Sequence, residues 1–312
     1  MSWQNIEDAA RAALVDYGLL PPKFFKYDTF MVVDAEDGKP RNGAGRIKIF
    51  ADGKGGIVQN WKTGAKGSFF LNAEGQTTAM SEAERQRIER ERKRRQAEEL
   101  ARMDRAAKRA LSIWTTAEPA PLDHPYLLAK QIKPHAARVT TWKRTVTDAT
   151  GTKQAVSIAN SLLIPLFDHT GALRSLQAIF PDKHPLFTRN KDFLPGGGLA
   201  GLFWWIGAKT DVVLICEGFA TAATLYEKTH IKTYLAFTAN NLLAVGRIVR
   251  EKLPSAKIVF AADNDSETAG NPGLTKATEA AAAVGGSVMV PPIPDADFND
   301  YQIFLNGGGH VG

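Results

Sequence analysis

Two hydrophobic rhythms run along this chain, and the change from one to the other divides it. From residue 211 onward the apolar runs VVLIC, TYLAF, KIVFAA and SVMV are separated by FATAATLYEKT, NLLAVGRIVREKL and GLTKATEAAAAVG, in which apolar positions recur at helical spacing. Strands and helices taking turns in this way predict a parallel sheet covered by helices, a Rossmann-like α/β unit over 209–305. The start of the chain is different. IKIF, GIVQNWKTG and GSFFLN are short strand-like runs broken by the glycine-rich turns RNGAG and ADGKGG, which predict a small β-rich N-terminal domain over 1–78.

Between these regions lie two further segments. Ser81 and Glu84 have the spacing of a capping box, and no Gly or Pro interrupts the chain from there to Trp114, so 79–116 reads as one long charged helix. Its Ile88, Leu100, Met103 and Leu111 are too sparse for a coiled-coil seam, and only AAKRALSIW at its end has the apolar content to dock. After the proline-rich TAEPAPLDHP, HPYLLAKQI reads as a short helix and SLLIPLFDHTGALRSLQAIFP as a β-hairpin, making 117–208 a mixed α+β unit. Residues 306–312 are expected to form a flexible tail.

Composition narrows the function. No apolar run approaches the ~20 residues of a membrane span, and MSWQNIEDAA has neither the basic nor the apolar region of a signal peptide, so a cytoplasmic location is expected. Cys216 is the only cysteine, which excludes an intramolecular disulfide and a cysteine-based zinc site, and the six histidines show no HxH or HExxH spacing. Zinc is not expected. The net charge of +6 owes most to Glu82–Arg109, where eleven Lys/Arg oppose seven Asp/Glu, with Arg92, Lys93, Arg94 and Arg95 in one block. That block suits an anionic partner such as nucleic acid, and equally a solvated linker helix.

The acids at the strand ends are more specific. DVVLICEGFA places Glu217 directly after five apolar residues, and KIVFAADND ends a second strand on Asp263 and Asp265. In open α/β sheets ligands sit beyond the carboxyl ends of the strands. If these strands are parallel neighbours, the three carboxylates share an edge, and alternation turns Asp263 and Asp265 to one side of Asn264. Oxygen ligands in that number suit Mg²⁺ or Mn²⁺; the competing reading is acids that cap helices. DADFND adds Asp297 and Asp300 as further candidate ligands, or as a polar turn entering a C-terminal helix.

Other signals carry less. GGGLAG matches a dinucleotide-binding pattern but precedes a strand-like segment instead of opening a helix, no P-loop or G-x-S-x-G occurs, and Cys216 within an apolar strand reads as core. Trp61, between Lys54 and Lys62, suits either stacking on an unpaired base or the core of a small domain. Trp204 and Trp205, adjacent on a strand, face opposite sides, so at least one packs inward.

The E-G pair after one strand and D-x-D after another resemble the TOPRIM domain of bacterial-type primases, topoisomerases and some nucleases. HPYL, IPLFDHTGALRSLQ, FLPGG, CEGFATAATL, GNPGLTKA and DFND extend the resemblance over nearly the whole chain, to the TOPRIM primase-like proteins of plasmids, phages and integrative elements. The resemblance implies a C-terminal TOPRIM catalytic domain preceded by a primase-like subdomain. It implies primer synthesis on single-stranded DNA from NTPs, or dNTPs, with Mg²⁺ or Mn²⁺, in a bacterial or phage-infected cell, with a separately encoded helicase as a candidate partner. Glu217 would then be catalytic acid or metal ligand, Asp263 and Asp265 the metal pair, and Lys191 the catalytic cation of NKDFLPGG, with Lys183 competing for that place. Asn241, Asn271 and Lys276 would help hold substrate, and Trp61, Lys62 and the Arg92–Arg95 block the nucleic acid. The sequence departs from the family in AFTANNL and in lacking a cysteine zinc ribbon. A TOPRIM nuclease and a non-catalytic single-strand-binding accessory remain alternative readings.

Overall fold

The computed structural model describes residues 5–37, 39–71, 82–147 and 151–308. Ser81 of the expected capping box and residues 309–312 of the expected tail lie outside them. The chain forms two compact units, Met1–Arg92 and Lys93–Gly312.

The first unit holds α1 (Ile6–Asp16) and the strands β1 (Met31–Val33), β2 (Gly45–Ile49), β3 (Gly55–Asn60) and β4 (Lys66–Phe70). The strands form an antiparallel sheet in sequence order. Period-two alternation sends Val33, Ile47, Val58 and Phe69 to one face, where Ile6, Ala9, Ala10, Ala13 and Leu14 of α1 cover them. Helix α1 is absent from the sequence reading, although its signal was there. Asn5 caps it by accepting a hydrogen bond from the Asp8 N–H at 2.9 Å, and good helix formers follow.

Helix α2 (Glu82–Thr116) crosses the division between the units. Its docked part is the C-terminal third, as expected: Ala106 and Ala110 are buried, and Ile113 and Trp114 pack on the second unit's core. There β5 (Glu118–Pro119) and α3 (Pro125–Lys130) lead into β6 (Arg138–Thr147), β7 (Lys153–Phe167), β8 (Leu173–Ile179) and β9 (Lys191–Phe193). The five strands make one antiparallel sheet in order β5-β6-β7-β8-β9. The anticipated hairpin is β7–β8.

The rest of the chain alternates as read: β10 (Trp204–Ile206), β11 (Val212–Cys216), α4 (Phe219–Thr229), β12 (Lys232–Leu235), α5 (Leu242–Lys252), β13 (Lys257–Ala261), α6 (Pro272–Val284), β14 (Ser287–Met289) and α7 (Phe298–Asn306). Strand order is β10-β12-β11-β13-β14, with β12, β11, β13 and β14 parallel. Strand β10, placed by sequence in the mixed unit, instead pairs antiparallel with β12 and ends this sheet. The two sheets share a core in which Leu162, Ile164 and Leu166 meet Leu214, Cys216 and Phe219. Their joint is an antiparallel bridge between Phe167 and Phe203, with N–H to O distances of 2.9 and 3.0 Å. No helix among the described residues is long and apolar enough to cross a membrane.

Candidate active site

Strands β11 and β13 are parallel neighbours in the register Cys216 to Ala261, so Glu217 and Asp263 leave the sheet at one edge. A cavity of about 530 Å³ opens there, lined by Glu217, Asp263, Asp265 and Asp297 and, from the antiparallel sheet and the loop that leads into β9, by Gln177, Arg189 and Lys191. Asn264 turns away, donating to the Pro291 and Ile293 carbonyls at 3.3 and 3.0 Å. The expected alternation of the D-x-D triplet therefore holds.

Each acid is held differently. Asp265 accepts from the Gly273 N–H at 3.2 Å, and its own N–H donates to Asn271 Oδ1 at 3.1 Å. A side chain at Gly273 would lie 2.8 Å from the Asp263 carbonyl oxygen, so the GNPG loop closes on the triplet only with glycine there. Asp297 caps α7, taking the Asn299 and Asp300 N–H groups at 2.7 and 2.9 Å and the Thr221 hydroxyl at 3.0 Å. Asp263 is the exception. Its Oδ1 is buried without a hydrogen-bond partner.

The electrostatics follow. Burial, then the carboxylates of Glu217, Asp297 and Asp265, push Asp263 up to about 8, against the pull of Lys191. Burial and Asp265 also raise Glu217, opposed by the Ala239 N–H, Lys191 and Arg189. Lys191 is lowered by burial of its charge and by Arg189, although the residue keeps an exposed surface, while Asp263, Glu217 and Asp297 hold its proton on. Among the described residues no three His, Cys, Asp or Glu side chains are already drawn into a metal-ligating group. The donor set nevertheless fits a hard divalent cation. The carboxylates are oxygen ligands at one cavity, one is orphaned and two resist ionisation, and a cation would relieve all of these costs.

The remaining candidates separate. Asp300 does not line the cavity: it completes the α7 capping box, its Oδ2 taking the Asp297 N–H at 3.4 Å, and its Oδ1 pairs with Lys130 at 2.9 Å. Asn241 is a brace and not a ligand group, because its amide donates to the Leu202 and Ala236 carbonyls, both at 2.8 Å, and accepts from the Gly201 N–H at 2.7 Å. Asn271 orders the loop under Asp265. Lys276 turns to Glu279 at 2.7 Å, and Lys183 is exposed outside the cavity. In the first unit Lys62 pairs with Asp37 at 2.9 Å, and Trp61 is 62% exposed, so the reading of Trp61 as core fails. Arg92 and Arg94 pair along α2 with Glu89 and Glu98 at 3.4 and 3.5 Å, and Lys93 and Arg95 are exposed beside them.

Two features escaped the sequence reading. Arg189, two residues before Lys191, adds a second cation to the cavity wall. Asp192 points to the other side of β9 and accepts from Trp142 Nε1 at 2.9 Å and Arg144 Nε at 2.6 Å. Those donors come from β6, three places away in the sheet, so this clasp fixes the short edge strand that carries Lys191.

Carboxylates at the ends of parallel strands, facing lysine and arginine from a second sheet, define a TOPRIM-type centre. Residues 212–304 match the family model of the Toprim domain, and the chain is similar to primases over a longer stretch. Over 263 residues it is 33% identical to a DNA primase TraC of Escherichia coli, covering 82% of this chain and 22% of that protein. A second Escherichia coli DNA primase TraC is 30% identical over 254 residues, covering 78% of this chain and 16% of that one. The chain thus spans about a fifth of the length of these relatives. Among solved structures it is similar to the DnaG primase catalytic domain bound to ssDNA, at 12% identity and a TM-score of 0.45, covering 69% of this chain and 79% of that one. The Aquifex aeolicus primase with zinc-binding and RNA polymerase domains is similar at 11% identity and a TM-score of 0.41, covering 99% of this chain and 83% of that one. The Toprim and primase families are generally metal-dependent.

Proposed function

We propose that this chain is the primer-synthesising part of a DNA primase from a plasmid, phage or integrative element, joining nucleotides on a single-stranded DNA template. The observation that carries this reading is the single cavity in which four carboxylates face Lys191 and Arg189. Neither set of charges explains the other's position as structural pairing: no ion pair joins the Lys191 or Arg189 side chain to a carboxylate among the described residues. Opposed but unpaired charges suit a substrate that brings phosphates to the cations.

Glu217, Asp263, Asp265 and Asp297 would hold Mg²⁺ or Mn²⁺. A divalent cation there supplies Lewis-acid activation of the attacking 3′-hydroxyl and charge neutralisation at the leaving pyrophosphate. Lys191 and Arg189 bind and orient the triphosphate of the incoming nucleotide from the opposite wall. Gln177, buried on β8, adds a polar group to that wall. The Asp192 clasp keeps β9 in place beneath the substrate.

The test is primer synthesis on single-stranded DNA with labelled NTPs and, separately, dNTPs, with Mg²⁺ or Mn²⁺, beside Glu217→Gln and a lane without nucleotide. Short metal-dependent products that vanish in the variant support the reading. Template breakdown without nucleotide, also lost in the variant, would replace it with a nuclease.

A further inference from the structure

The sheet of the first unit has a second face that α1 does not cover. Alternation puts Val32, Arg46, Gln59 and Lys66 on this face in one row across β1 to β4, and Lys48, Ile57 and Ser68 in the next. Phe30, just ahead of β1, joins the second row, with the Lys48 ammonium 5.8 Å from its ring centre. Phe70 follows on β4, opposite Gly55. A Cβ at Gly55 would come within 2.7 Å of the Phe70 ring, so the glycine lets that ring lie down over the sheet.

This surface is unusual for a face that no other element among the described residues covers. Phe30 is 56% exposed, Phe70 48% and Val32 59%. A shallow hollow of about 390 Å³ runs between Phe30, Arg46, Ile57, Gln59, Lys66 and Ser68. Among the described residues its charge is one-sided: the cations are Arg46, Lys48 and Lys66, and Asp28 pairs with Lys48 at 2.7 Å. Arg46 is steadied by the Gly43 and Gly45 carbonyls, both at 2.8 Å, so its planar group is held in place before any ligand arrives. A protein partner for an exposed apolar sheet would need no such excess of cations.

Flat aromatic rings with cations between them match one chemistry closely. Unpaired bases stack on the rings and phosphates lie along the cations, whereas a duplex keeps its bases stacked on one another. We propose that the open face of the N-terminal sheet is a metal-independent platform for single-stranded nucleic acid, built on Phe30 and Phe70 with Arg46, Lys48 and Lys66 as phosphate contacts. It deepens the primase reading by naming a template-holding surface, one that needs neither a cysteine nor a zinc ion. The surface is also distinct from the Trp61–Lys62 turn and the α2 basic block on which the sequence placed nucleic-acid contact.

The experiment is fluorescence anisotropy of the full chain with a labelled single-stranded oligothymidylate and with a duplex of the same length, in EDTA and without nucleotide. Those conditions silence synthesis, so failure of the platform and failure of the primase reading are scored separately. Phe30→Ala/Phe70→Ala is expected to weaken single-strand binding about 10- to 100-fold and to leave duplex binding nearly unchanged. Phe70→Trp should retain affinity and its added indole fluorescence should be quenched by the oligonucleotide, a readout that misfolding would not produce. Lys66→Ala should reduce the salt dependence of binding by about one phosphate contact. Unchanged affinity in the double alanine variant, equal loss on single strand and duplex, or an unquenched indole in Phe70→Trp with binding intact would each overturn the proposal; the first would leave the face to a protein partner.

Discussion

The C-terminal parallel sheet and the N-terminal antiparallel sheet keep their polar groups in different places. In the parallel sheet both faces are covered by helices or by the neighbouring sheet, so functional groups emerge at the strand ends, where Glu217, Asp263 and Asp265 crowd into a partly buried edge. In the N-terminal sheet one face is covered and the other presents Phe30, Lys66 and Phe70 to solvent beside a half-buried Arg46. The first arrangement concentrates negative charge at a cost that a cation can offset, while the second spreads positive charge cheaply in water. Burial, more than the sign of the charge, separates a site fit for chemistry from a surface fit for holding.

The sharpest break in this comparison comes from removing one acid. Glu217→Gln is expected to lower primer synthesis about 100- to 1000-fold while leaving single-strand binding in EDTA unchanged; loss of both would mean that the two sheets do not act separately. Next in size is the clasp. Asp192→Asn should raise KM for the nucleotide about tenfold with a smaller change in kcat and none in template affinity, as measured by steady-state priming. An equal fall in kcat and a normal KM would assign Asp192 to folding alone, and Trp142→Phe, which removes one of its two donors, should give a milder version of the same split.

A third prediction concerns the strain of the acidic edge itself. Asp263 holds its proton up to about 8, against an ordinary aspartate value of 3.8. The folded chain therefore binds a proton that the unfolded chain has released, and without divalent cation its stability must fall as pH rises between those values. Asp263→Asn should flatten that slope, leaving the smaller share that Glu217 contributes, and stabilise the cation-free protein by ~2 kcal/mol above pH 8, read as a higher Tm in EDTA. A wild-type Tm that is flat over the same range would show that the acids are not strained. The smallest effect is expected at the surface, where Lys62→Ala breaks an exposed pair with Asp37 and should leave Tm nearly unchanged.

How much of this was legible varied by region. Parallel strands that end on acids are readable because a buried strand tolerates only apolar residues, so the first carboxylate after VVLIC or KIVFAA marks the edge. The D-x-D alternation was equally plain. Strand β6 was not read, since RVTTWKRTVT buries Trp142 and leaves most of its length polar or half-exposed. Asn241, expected from the family resemblance to hold substrate, has its amide occupied by three backbone hydrogen bonds that no motif shows.

Residue order was enough to specify the succession of elements in the C-terminal half, the acids at its strand ends and the long helix with its docking end. These are local properties, written in periodicity and in residue chemistry. It took the folded chain to bring Asp297 into the acidic cavity while Asp300 pairs with Lys130, to set Arg189 and Lys191 against the acids, to tie β9 to β6 through Asp192, and to leave Trp61 in solvent beside a sheet with an open aromatic face. Each depends on which surfaces meet across long separations in the chain, and local spacing encodes only local distances.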